Sequence, residues 1–203
     1  MNKAVFLDKD GTVIKDVPYN VNPDLIELLP GTIAGLQKLQ ATGYLLIMVT
    51  NQAGVARGYF TEAELPAVKK RLEQLLNEHS IKLNGFYYSP NHPEGHVVPY
   101  NVSCNFRKPM PGMLLQAAQE HNIDLEQSWM IGDILHDVEA GNRAGCRTVL
   151  INNGGETEWI KNNEYREPEY ICNNLDEAAA YITGEQLKNQ VVSQMSIKQT
   201  FRG

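Results

Sequence analysis

Short apolar runs alternate along this chain with segments whose apolar residues recur every three or four positions. The runs Ala4–Leu7, Tyr44–Val49, Gly85–Tyr88, Trp129–Ile131, Arg147–Ile151 and Tyr170–Cys172 read as strands. The first is apolar at every position, as in a strand buried on both faces. Between the runs the period becomes helical. Thr32–Ala41 carries Ile33, Leu36 and Leu39 on one side and stops at Gly43. A longer helix starts at Thr61, where Thr61 and Glu64 make a capping box and Leu65, Val68, Leu72 and Leu75 form an apolar stripe. Pro111 suits the first turn of a helix running to about Asn122. Shorter helices follow near His136–Ala144, ended by Gly145, and at Leu175–Ile182. Strand–helix alternation predicts an α/β fold with a parallel sheet covered on both faces.

Length and composition narrow the picture. At 203 residues the chain suits one domain, expected over 1–183, with a polar, weakly patterned tail over 184–203 that is either docked or mobile. No stretch approaches the roughly 18 apolar residues of a membrane span, and the N-terminus lacks the pattern of a signal peptide. Cys104, Cys146 and Cys172 form no paired framework and fit a reducing cytoplasm. A formal net charge of −6 argues against general nucleic-acid binding. Neither a nucleic-acid nor a membrane partner is expected, and the protein is expected to be a monomer or small homo-oligomer. An anionic substrate would then need a metal and local cations at its site.

The candidate chemistry sits at the strand ends. The first strand runs into Asp8-Lys9-Asp10-Gly11-Thr12. Residues i and i+2 of an extended segment point the same way, so both carboxylates face one spot past the strand. Open α/β sheets bind ligands there. Two carboxylates about 4 Å apart repel by roughly 4 kcal/mol at a near-surface effective dielectric, a penalty that Mg²⁺ would remove. The second strand runs into Thr50-Asn51. Arg107-Lys108-Pro109 opens the helix after a long polar loop, and the fourth strand runs into Gly132-Asp133 with Asp137 four residues on. Each part has an ordinary explanation: Thr50 as a turn or helix cap, Lys108 as a solvated cation, Asp133 as an N-cap. Capping does not explain why acids, a hydroxyl and a lysine all end strands of one sheet. Carboxylates, a metal and a lysine suit phosphoryl transfer.

This order of motifs over residues 4–150 resembles the haloacid dehalogenase (HAD) superfamily of phosphatases. Residues 51–58 (Asn-Gln-Ala-Gly-Val-Ala-Arg-Gly) and 107–113 (Arg-Lys-Pro-Met-Pro-Gly-Met) resemble more closely the D-glycero-D-manno-heptose 1,7-bisphosphate 7-phosphatases and the related histidinol-phosphate phosphatases. The resemblance implies a Rossmann-like, doubly wound parallel sheet in three α/β/α layers. It also implies an aspartyl-phosphate route in bacterial surface-glycan heptose biosynthesis. Asp8 would be nucleophile and Mg²⁺ ligand. Asp10 would be acid and base, with its carbonyl on the metal. Thr50 would hold a phosphoryl oxygen, and Lys108 would stabilise charge. Asp133 would complete the metal site, with Asp137 behind it. Asp16, Tyr19, Asn51, Gln52, Ala53, Arg57 and Arg107 lie where the family contacts substrate. A histidinol-phosphate phosphatase, or a non-catalytic phosphate-binding protein on the same fold, stays open as an alternative.

The chain departs from the family in its long loop, which usually binds structural zinc through C-x-H and C-x-C. Here those positions read Ser89-Pro90-Asn91 and Cys104-Asn105-Phe106. Three of four ligands are missing, and structural zinc wants four N/S ligands. A zinc-free loop is expected, with His92 and His96 nearby as the residues that would have to join Cys104 in any zinc site. Only 39 residues separate Asp10 from Thr50, and they include a helix. No large cap domain fits there, so the site is expected to be open.

Overall fold

The structure is a computed structural model that describes residues 1–157 and 159–184. Six strands form one wholly parallel sheet: β1 (Ala4–Leu7), β2 (Leu45–Asn51), β3 (Gly85–Ser89), β4 (Trp129–Gly132), β5 (Arg147–Ile151) and β6 (Tyr170–Cys172). The spatial order is β3-β2-β1-β4-β5-β6, so the chain winds outward from β1 in one direction and then the other. The helices are α1 (Thr32–Ala41), α2 (Leu65–Asn77), α3 (Gly112–His121), α4 (Leu135–Ala144) and α5 (175–184).

Strand alternation divides the core into two halves. On one face Val5, Leu7, Leu46, Met48, Trp129 and Ile131 pack against Leu36 and Leu39 of α1, Leu72 of α2 and Leu175 and Ile182 of α5. On the other, Ala4, Phe6, Ile47, Val49 and Met130 meet Met113, Leu114 and Ala117 of α3 and Ala140 of α4. Both faces are covered, which is why the strands read as continuous apolar runs.

Several boundaries differ from expectation for local reasons. β2 continues through Thr50 and Asn51, because β3 extends to Ser89 and pairs Thr50 with Tyr88 and Asn51 with Ser89. The helix expected from Thr61 opens as a single 3₁₀ turn, Glu62–Glu64, with its capping box intact; α2 proper starts at Leu65, with Pro66 in its first turn. The buried seam of α2 is Leu65, Val68, Leu72 and Leu76, with Leu75 only partly buried at its side. No cap is inserted between β1 and β2, where residues 14–30 make short bridges and a 3₁₀ turn before α1. The tail after residue 184 lies outside the described residues.

Gly35 is where α1 and α5 come closest. A Cβ there would lie 2.4 Å from Leu175 Cδ2 and 2.5 Å from the Leu175 carbonyl oxygen. An alanine in a helix interior ordinarily gains about 1 kcal/mol over glycine. The backbone contact reverses that sign, since overpacking costs roughly 1–3 kcal/mol. Gly35→Ala is therefore expected to lower the unfolding free energy in urea titration. A gain would mean that α5 separates from α1 at no cost.

Candidate active site

β2, β1 and β4 lie side by side, and their C-terminal ends deliver Thr50, Asp8 and Asp133 to one place. A cleft of about 370 Å³ opens there. Its walls include Asp8, Asp10, Thr50, Lys108 and Asp133 from the strand ends, with Asp16, Tyr19, Asn51, Gln52 and Ala53 on the adjoining loops. Asp8 and Asp133, 125 positions apart in sequence, thus share one wall because a parallel sheet ends all its strands on the same edge.

Lys108 is the hub. Its side chain is 2% exposed. Nζ donates to Asp8 Oδ1 at 2.5 Å and to the Val49 carbonyl at 2.9 Å, and it lies 2.7 Å from Asp137 Oδ1. Burial alone would lower the lysine pKa, but Asp137 and Asp8 outweigh it and hold the ammonium protonated. Asp137 is fully buried; its other oxygen accepts from the Ile134 N–H at 3.3 Å. Asn51 fixes the Lys108 backbone with a reciprocal pair, Nδ2 to the Lys108 carbonyl and Lys108 N–H to Oδ1, both 3.0 Å. The Asn51 side chain lines the cleft, yet its amide is engaged in holding the lysine segment.

Asp133 does not cap α4. Thr12 Oγ1 donates to it at 3.4 Å, while the N–H groups opening α4 are met by Asp137 and by Glu156, which accepts from Leu135 at 2.7 Å. Burial, then the charges of Asp8 and Asp137, push Asp133 up to about 8. Asp8, Asp133 and Asp137 are the one acidic cluster able to hold a metal among the described residues, with ligand oxygens within 4.8 Å of one another. Asp137 is already committed to Lys108 and Ile134, leaving Asp8 and Asp133 as the available pair. An all-oxygen set suits a hard cation such as Mg²⁺.

Asp10 sits on the cleft wall. Lys9 Nζ is 2.6 Å from its Oδ1, and Gln52 Nε2 lies 3.4 Å from Oδ2 and 3.0 Å from Thr50 Oγ1. Burial raises the Asp10 pKa; Lys9 opposes the rise and Asp8 adds to it. A carboxyl raised in this way holds its proton to higher pH than a free aspartate, as a general acid requires.

Arg57 and Arg107 stand apart from the walls of the cleft. Arg57 Nη2 lies 3.4 Å from His92 Nε2, and Arg107 Nη1 donates to the Asn91 carbonyl at 3.3 Å. Neither meets a carboxylate among the described residues, and burial together with Arg57 lowers the Arg107 pKa. The long loop that carries Arg107 is tied back by Glu62, which accepts from Tyr88 at 3.0 Å and Tyr100 at 2.5 Å. Ser89 Oγ and Cys104 Sγ are 3.7 Å apart.

Three participants escaped the sequence reading. Gly155 joins the cleft wall, so close that a Cβ there would lie 2.1 Å from Asp133 Oδ2. Asn153 Nδ2 reaches the Gly11 carbonyl and ties the loop after β5 to the Asp8–Asp10 turn. Lys9 is the third. The glycine pair at 154–155 after a strand was a visible cue for close backbone approach. Nothing in the sequence points to Asn153.

A HAD-hydrolase-like family model matches residues 105–178. The chain is 40% identical over 185 residues to the D-glycero-beta-D-manno-heptose-1,7-bisphosphate 7-phosphatase of Pasteurella multocida, covering 91% of this chain and 98% of that protein. It is 43% identical over 165 residues to the enzyme of the same name from Haemophilus influenzae, covering 79% and 89%. Among solved structures, the D,D-heptose 1,7-bisphosphate phosphatase from B. bronchiseptica, complexed with magnesium and phosphate, superposes with a TM-score of 0.74 at 28% identity, covering 90% and 99%. With this extent of identity over most of both chains and this agreement in fold, the chain belongs to the D-glycero-beta-D-manno-heptose-1,7-bisphosphate 7-phosphatase family of HAD-like hydrolases and is a phosphoric monoester hydrolase.

Proposed function

We propose that this protein removes the 7-phosphate of D-glycero-D-manno-heptose 1,7-bisphosphate through a phosphorylated Asp8. The carrying observation is the Asp8–Lys108–Asp137 arrangement on the open floor of the cleft. Asp8 offers an oxygen to phosphorus while Lys108 neutralises charge on the carboxylate and the incoming phosphoryl group. The new bond is Asp8 O–P; the bond broken joins phosphorus to the sugar oxygen, which takes the Asp10 proton as it leaves. In the second step Asp10, now a carboxylate, takes a proton from water as that water attacks phosphorus. Asp8 and inorganic phosphate are released. Thr50 holds a phosphoryl oxygen. Asp8 and Asp133, with the Asp10 carbonyl, would hold Mg²⁺, which supplies charge neutralisation to the phosphoryl oxygens when bound.

Arg57 and Arg107 form the counter-charge for the second phosphate. They are two guanidiniums without a carboxylate among the described residues, one on the segment after β2 and one at the end of the 89–107 loop, each held against that loop at His92 and Asn91. Asp16, Tyr19, Asn51, Gln52 and Ala53 border the sugar. The 89–107 loop is read as keeping its shape without zinc, through the Glu62–Tyr88–Tyr100 contacts and packing. The buried free thiols of Cys146 and Cys172 suit a reducing cytoplasm. Among the described residues, no helix is long and apolar enough to cross a membrane.

Asp8→Asn is expected to abolish turnover while leaving the circular dichroism spectrum intact, and Asp10→Asn to lower kcat by about 10²–10⁴-fold. Retained turnover in Asp8→Asn would remove it as nucleophile.

The metal reading has a pH signature. Asp133 ionises near 3.8 when unfolded and at about 8 in the folded, metal-free protein. Between those values the folded state holds the extra proton, so metal-free stability falls as pH rises through that window. Mg²⁺ relieves the repulsion, so it should raise Tm more at pH 8 than at pH 6. Asp133→Asn should stabilise the metal-free protein at pH 8 by about 1–3 kcal/mol and lose the response to Mg²⁺. The gain stays below the roughly 4 kcal/mol of two bare charges 4 Å apart because Lys108 already neutralises one. A metal-free Tm that does not change between pH 6 and 8 would count against it.

For the substrate, Arg107→Ala is expected to cost roughly ten- to a hundredfold in kcat/KM on heptose 1,7-bisphosphate and little on a small aryl phosphate. Comparison with histidinol phosphate and fructose 1,6-bisphosphate completes the test. Equal losses on both substrate classes would place Arg107 in the general phosphoryl machinery.

A further inference from the structure

We infer that Lys9 is a positioning residue for Asp10, clamping one carboxylate oxygen so that the other faces the leaving oxygen of the substrate. This rests on the reading of Asp10 as the leaving-group acid.

Alternation at the end of β1 sends Asp8 and Asp10 toward the cleft and should send Lys9 the opposite way. Lys9 is indeed absent from the cleft walls. Its side chain is only 3% exposed, which is rare for a lysine without a specific partner. Nζ turns back on its neighbour and meets Asp10 Oδ1 at 2.6 Å, and among the described residues Asp10 is its sole ion-pair and hydrogen-bond partner. The backbone beneath is pinned as well. The Lys9 carbonyl accepts from Val13 at 3.1 Å and Ile14 at 3.0 Å, and Gly11 N–H donates to the Ile14 carbonyl at 2.9 Å. The two oxygens of Asp10 therefore differ. Oδ1 is held from behind the wall, whereas Oδ2 has only the long 3.4 Å contact from Gln52. Burying a lone ammonium costs solvation that a single contact recovers poorly. A neutral side chain would fill the same space without that cost, so the geometric constraint on Asp10 is what the lysine adds. Proton transfer is sensitive to such placement; errors of about 1 Å cost up to about 10²-fold.

A residue that aims a general acid matters in proportion to how badly the leaving group needs a proton. The test compares kcat/KM, which reports the first phosphoryl transfer, on phenyl phosphate and 2,4-dinitrophenyl phosphate. Lys9→Met should lose about ten- to a hundredfold on phenyl phosphate and less than about threefold on the dinitrophenyl ester. Lys9→Arg, which keeps the charge, should restore most of the ratio. If Lys9→Met fails to fold, Lys9→Gln carries the same comparison, with a smaller loss of the same selectivity. Asp10→Asn is the reference. If it shows no dependence on the leaving group, the acid reading fails. If Asp10→Asn shows the dependence and the Lys9 variants lose equally on both esters, or on neither, the positioning role is overturned while the acid reading stands.

Discussion

The ammonium of Lys108, sealed among Asp8, Asp137 and the Val49 carbonyl, is the contact on which the site's architecture rests. It joins the end of β1, the end of β2, the segment entering α3 and the first turn of α4. Removing one partner from a buried ion pair typically costs about 3–5 kcal/mol, because the other is left charged and unsolvated. Each member of the triad therefore enforces the placement of the others. The two-sided core supports this by fixing the strand ends: Phe6 and Leu7 are buried on opposite faces of β1, so Asp8 has little freedom to move.

Much of this was legible beforehand because parallel strands announce themselves. β1 and β5 fall where the apolar runs place them, and the Asp8/Asp10 alternation follows from period-two geometry. Convergence of Asp8, Thr50 and Asp133 followed from one topological fact, that central strands share an edge. Other features had no local signal. Asn51 gives its amide to the Lys108 backbone 57 residues away. Asn153 reaches Gly11 across 142 residues. Asp133, whose position suited an N-cap, is drawn instead toward Thr12 because Asp137 and Glu156 meet the N–H groups of α4. The choice between Leu75 and Leu76 turns on the angle at which α2 meets the sheet, which periodicity alone leaves undetermined.

Charge is distributed unevenly for a reason. Two lysines sit inside with carboxylate partners, whereas the two guanidiniums at the loop have none among the described residues. Internal cations shape acids; in the proposed reading the outer ones meet an anion that arrives. An acidic chain that processes an anionic sugar needs this separation, since its overall field repels the substrate.

The cleft has no cap, and the consequence is kinetic. Among the described residues no inserted cap has to swing open to admit substrate or free the product, so cap opening is not a step that would limit turnover. A phosphoryl group carried on Asp8 in this cleft would be open to water and to any small alcohol dissolved in it. A solvent-open phosphoenzyme partitions between acceptors by their concentration and nucleophilicity. Glycerol or methanol in the medium would thus collect a share of the phosphoryl groups that the absence of a cap leaves exposed.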